Sequence, residues 1–76
     1  MSVHDEAMAN RVHEALGRDK RLSGLPIGVR VSNGDVFLKG SVDSLHQLDA
    51  VQFVVSGMAG VRHVDTSEVE VKETAR

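Results

Sequence analysis

The chain has no cysteine, no tryptophan and no tyrosine, only two phenylalanines, and a single proline. Without cysteine there can be no disulfide and no thiolate metal site, and a reducing compartment suits such a chain. Two aromatics, 3% of the residues, are too few for a surface on which successive bases stack. Charge of one sign is also lacking. A net charge of −2 and an isoelectric point near 6.0 give no long-range field to gather nucleic acid or anionic lipid. No long apolar run exists either: the richest window, Ala50 to Val61, is interrupted by Gln52, Ser56, Gly57 and Gly60, whereas a membrane span needs about 20 apolar residues. The first ten residues do not place a basic region before an apolar one, so no secretory signal is read. The expected location is cytoplasmic as written, or periplasmic if the chain is a domain excised from a longer exported protein.

What is present is pattern. Seventy-six residues make one domain. A chain of this size buries only about 60% of its unfolded surface, so its core is thin. Ile27, Val29 and Val31 alternate with polar residues or glycine, as do Val36, Leu38 and Val42, and Asn33-Gly34 separates the two runs. Asn-Gly between alternating segments predicts a β-hairpin, because both residues accept the positive φ of a type I′ turn. A two-residue loop fixes the register at Val31 opposite Val36, Val29 opposite Leu38 and Ile27 opposite Gly40. Asn33, Gly34, Gly40 and Gly60 are the positions assigned to backbone geometry.

A first helix is expected from Val3 to about Leu16, capped by Ser2 with Asp5, and ended by Gly17. Its apolar stripe is Met8, Val12, Ala15 and Leu16. Leu22 is expected to drop back onto the core from the charged loop that follows. A second helix starts after Asp43 or Ser44, with Ser44 and Gln47 as a capping box, and buries Leu48, Val51, Val55 and Met58, with Val54 on one flank. A last strand covers Glu68 to Lys72, with Val69 and Val71 facing in, and Glu73 to Arg76 forms a polar tail expected to fray. The order α-β-β-α-β gives an α+β domain: a small three-stranded mixed sheet with the third strand parallel to the second. Both helices are placed on the sheet face that carries the valines, and the other face is left open.

The Leu16-Gly17 helix end, the hairpin Asn33-Gly34 followed by Val36-x-Leu38-x-Gly40-x-Val42, and Gly60-Val61-x-x-Val64 together resemble the BON domain of bacteria, over about Met8 to Val71. The resemblance implies this fold and a non-enzymatic module associated with phospholipid membranes or other ligands. Where the family usually carries Asn, this chain has Thr66, and the spacing on to Val69 is one residue longer. The extra residue predicts a bulge or a longer loop before the last strand.

Sites of chemistry are sparse. Gly57-Met58-Ala59-Gly60 has the letters of a nucleic-acid-clamping GxxG loop, but it leads from a helix to a strand and carries no basic residue, so helix termination explains it. His4, His13, His46 and His63 never pair at i, i+4, and the serines stand in no nucleophile elbow. No catalytic residue, metal or cofactor is therefore assigned. Arg18, Lys20 and Arg21 are interrupted by Asp19. The two phenylalanines are the more pointed signal. Phe53 falls about 160° from the centre of the apolar stripe of its helix, beside His46 and Asp49. Phe37 falls on the open sheet face, across from Arg30 and next to Lys39. Phe37, Arg30, Lys39, Phe53 and His46 are accordingly the candidate contact residues. The reading is a binding or assembly module that self-associates or docks a protein partner, with phospholipid binding as the alternative and nucleic acid behind both.

Overall fold

A computed structural model describes residues 3–72 as α1 (Val3–Arg18), β1 (Ile27–Ser32), β2 (Asp35–Val42), α2 (Leu45–Ser56) and β3 (His63–Val71). The Ser2 cap and the Glu73–Arg76 tail lie outside the described residues. The strands form one sheet in the order β1-β2-β3, with β1 antiparallel and β3 parallel to β2. This is the α+β architecture the alternation and the turn imply.

The hairpin has the expected register, with Val31 opposite Val36, Val29 opposite Leu38 and Ile27 opposite Gly40. Asn33 and Gly34 take φ of 53° and 85°, the left-handed pair that a type I′ turn requires. Val36, Leu38 and Val42 are buried on one face of β2. They share a core with Val31, with Val12 and Leu16 of α1, with Ala50, Val51 and Val55 of α2, and with Leu22. The helices also touch each other. Both therefore cover the same sheet face.

Three local departures have physical causes. First, α1 continues to Arg18, so Gly17 sits in its last turn rather than ending it. The stop comes at Asp19, whose carbonyl accepts the N–H groups of Leu22 and Ser23 at 3.0 and 2.8 Å. That tight turn carries Leu22 into the core at 2% exposure. Second, the α2 cap is displaced by one residue from a reciprocal box. Ser44 Oγ accepts the Gln47 N–H at 3.3 Å, but Gln47 Oε1 accepts from the N–H of Asp43, not of Ser44, at 2.6 Å.

Third, β3 starts at His63, five residues before the expected Glu68. The register with β2 runs Val36–Val64 and Phe37–Asp65, then resumes at Lys39–Glu68, so one extra residue is inserted at Thr66-Ser67. Val64 and Val69 are five apart, and in a regular strand they would point to opposite faces. The bulge restores Val64, Val69 and Val71 to the helix side, where all three pack against the core. Asp65 holds the kink by accepting from the Ser67 N–H and hydroxyl at 2.8 and 2.6 Å, which also draws its carboxyl pKa below the ordinary value. The residue that lengthens the spacing is thus a bulge within the strand.

Candidate contact surfaces

The sheet face away from the helices is built by alternation. It carries Gly28, Arg30 and Ser32 from β1, Asp35, Phe37, Lys39 and Ser41 from β2, and Asp65, Ser67, Glu68 and Glu70 from β3. Phe37 is half-buried and lies outside the core, with the Arg30 guanidinium carbon 4.7 Å from its ring centroid. This is a cation–π distance, worth about 0.5–1 kcal/mol at an exposed site. Lys39 stands beside Glu68 in the register. Together Arg30, Phe37, Lys39 and Glu68 line a depression of about 250 Å³.

Phe37 is the one large apolar residue on this face among the described residues, and Arg30 covers part of it. Docking on this face therefore removes little apolar area from water. The face is a charged one, basic at Arg30 and Lys39 and acidic along β3.

The second surface is on α2. Phe53 is 78% exposed and Leu45 59%, and both fall on one i, i+4, i+8 row with Asp49 between them. His46, the next residue after Leu45 and also exposed, borders the same row. Leu45 is absent from the sequence-derived set. Its helical angle is a weaker signal than that of Phe53, about 80° from Val55 and about 120° from Val51 against about 160° from both for Phe53. His46 also lines a hollow with Arg21 and Gln47, whose Nε2 donates to the Arg21 carbonyl at 3.3 Å. The structure brings Arg30, Phe37 and Lys39 together on the sheet. Phe53 and His46 stand apart from them, on the helix layer.

In the basic loop Arg21 is engaged by Asp19. Arg21 donates through Nε and Nη2 to the two Asp19 carboxylate oxygens at 3.0 and 2.8 Å, and its backbone N–H donates to the same group. These bonds hold the Asp19 carboxyl down at about 2. At the end of α2 the Gly57 N–H donates to the Phe53 carbonyl at 3.2 Å and the Met58 N–H to the Val55 carbonyl at 3.1 Å, in keeping with a terminating role. Among the described residues, no three His, Asp or Glu side chains are grouped as metal ligands, and no helix is long and apolar enough to cross a membrane.

Two helices on one face of a β1-β2-β3 mixed sheet, with the chemistry confined to exposed surfaces, define a small α+β module. The chain belongs to the BON domain family, whose profile matches residues 4–73. It is 35% identical over 69 residues to an uncharacterized protein of Deinococcus radiodurans, a match taking in 91% of this chain and 27% of that protein. The fold is similar, at a TM-score of 0.70 and 17% identity, to the C-terminal domain of CdsD, the structural protein of the type III secretion system of Chlamydia trachomatis. That match covers 88% of this chain and 33% of the other. The chain thus spans about a quarter of the length of the one and a third of the other.

Proposed function

We propose that this domain is a non-enzymatic assembly module that docks protein surfaces, a second copy of itself foremost, through its open sheet face and the Phe53 row. One observation carries the reading: both helices cover the same sheet face, which leaves Arg30, Phe37 and Lys39 displayed on a face that no other element among the described residues covers. Membership of the BON family and a fold shared with a domain of a secretion-system structural protein support assembly over chemistry. The net charge of −2 and the engagement of Arg21 by Asp19 weigh against the phospholipid alternative.

Sedimentation equilibrium of the wild type beside Phe37→Ser and Phe53→Ser, from about 10 μM to about 1 mM, tests the reading. The wild-type mass is expected to rise with concentration and at least one variant to lag behind it. Three identical monomer curves refute self-association. Co-sedimentation with anionic vesicles at low salt, stronger than with neutral ones, assigns the surfaces to lipid instead.

A further inference from the structure

We propose that copies of this domain join head to tail, the outer edge of β3 in one copy pairing antiparallel with the outer edge of β1 in the next. The inference rests on the self-association proposed above and moves its main-chain contact to the sheet edges, with Arg30 and Lys39 of the open face set beside it.

Both strands are terminal in the β1-β2-β3 sheet, so each has an edge with no neighbouring strand among the described residues. The hydrogen bonds show which groups those edges present. The Ser41 N–H donates to the Pro26 carbonyl, which sets residues 26, 28, 30 and 32 toward β2 and leaves the N–H and C=O of Val29 and Val31 pointing outward, whereas the Ile27 N–H is taken by the Leu25 carbonyl at 2.9 Å. The Lys72 N–H donates to the Val42 carbonyl, which by the same alternation leaves those of Val69 and Val71 pointing outward from β3.

A single register satisfies the backbone, the apolar face and the charges together. Placing Val29 opposite Val69 of the next copy lets both outward main-chain groups of each meet, and puts the Ile27 side chain opposite Val71. All four of these side chains lie on the helix side and are only half-buried within one copy, so pairing covers apolar area that the isolated domain leaves at its edges. On the open side the same register sets Arg30 opposite Glu68 and Gly28 opposite Glu70. Gly28 has no side chain, which leaves room for Lys39, its cross-strand neighbour, to approach that second carboxylate.

Of the two same-strand pairings, β1 with β1 would close at a dimer, and β3 with β3 is disfavoured by charge. Joining β3 to β3 around Val69 sets Glu68 opposite Glu70 in both directions, and like charges facing each other across strands destabilise. Because the β1–β3 contact is heterologous, it extends into a ring or an open array rather than closing at a dimer. One edge of about five residues is a small contact, so association of a single pair is weak.

Charge reversal tests the proposal. Arg30 and Glu68 are both exposed, so Arg30→Glu and Glu68→Arg are expected to keep the wild-type circular dichroism, each melting a few degrees lower as the Phe37 contact of Arg30 and the Lys39 neighbour of Glu68 are lost. Each variant alone faces like with like at every contact, and its association constant should fall about tenfold or more below wild type. In an equimolar mixture, every contact between unlike copies again sets a carboxylate opposite a guanidinium, and association should return to the wild-type value. Wild type and both variants associating equally would overturn the edge geometry while leaving the assembly reading standing. Weakened variants that stay weak on mixing, or wild type that stops at dimer mass, would also overturn it. A wild type monomeric up to about 1 mM overturns both this inference and the reading beneath it.

Discussion

Replacing Gly40 with alanine tests the packing argument most severely, because this glycine lies inside β2, where a strand would ordinarily favour a side chain. Its φ of +143° is one that residues with a Cβ rarely adopt. A Cβ built there overlaps the Pro26 carbonyl oxygen and lies 2.9 Å from the Pro26 carbonyl carbon and 3.0 Å from the Ile27 Cα. All three are backbone atoms, so the conflict cannot be relieved by a rotamer change. The strained backbone costs about 1–3 kcal/mol, and displacing the start of β1 costs about as much again by analogy with overpacked cores. Moving Pro26 also lengthens the Ser41 N–H bond to its carbonyl, now 3.3 Å. The total, ~2–6 kcal/mol, is a large share of the ~4–11 kcal/mol expected for a domain of this length. At a urea m-value of about 1 kcal/mol/M, the midpoint should fall by ~2 M or more, read by circular dichroism. Gly17→Ala is the control: it lies in the last turn of α1 with nothing within 4 Å of the added carbon, and should stabilise by about 0.5 kcal/mol. A Gly40→Ala midpoint within about 0.5 M of wild type would refute the close approach of the Pro26 backbone.

Deleting Ser67 should leave the domain folded, because removal of the bulged residue makes the β2–β3 ladder continuous and keeps Val64, Val69 and Val71 on the helix side; the lost Asp65 contacts should cost under ~2 kcal/mol in urea melts. An unfolded deletion variant would mean the kink itself is required. Asp19 should titrate in carboxyl NMR near pH 2, below the ordinary 3.8, and Arg21→Ala should move its midpoint most of the way back up. Since the folded pKa is the lower one, this contribution to stability is complete above about pH 4 and is lost as pH falls toward 2. A midpoint that does not move in Arg21→Ala would show that the guanidinium is not the cause.

How much of this was legible in the sequence depends on whether local chemistry or long-range contact decides a residue's place. The hairpin was fully legible, since Asn33-Gly34 sets both turn type and register and the flanking alternation agrees with it. The helix stripes were legible for the same reason, and the exposure of Phe53 followed from its angle alone. The beginning of β3 was not, because the inserted residue interrupts the period of two between Val64 and Val69, and no alternating run spans it. Gly40 could be noted but not explained: its need comes from Pro26, fourteen residues away, in a backbone approach that no pattern records. Of the candidate surfaces, the stacking of Arg30 on Phe37 follows from the register. The small apolar content of that face follows from pattern too, since Glu68 and Glu70 alternate with the inward Val69 and Val71 and so face out.

That last point shifts where recognition should be sought. A face with one large apolar residue, itself partly covered by a guanidinium, offers little hydrophobic free energy, and exposed ion pairs add only about 0–1 kcal/mol each. Its charges are better suited to choosing among partners and registers than to holding them. The edges supply what the face lacks, namely outward main-chain groups and half-buried valines at Val29, Val69 and Val71. Main-chain pairing alone does not discriminate, and an unguarded strand edge invites any other. The acidic run on β3 supplies the discrimination, repelling a second β3 and accepting a strand that brings an arginine at the right alternation. In a head-to-tail array each interior copy makes two such contacts, and closing a ring adds a contact without immobilising a further copy. A contact too weak to hold a pair can then hold a ring, so the sedimentation data should show monomer and large species with little dimer between them. A smooth monomer–dimer curve would instead place the association on a self-complementary patch such as the Phe53 row.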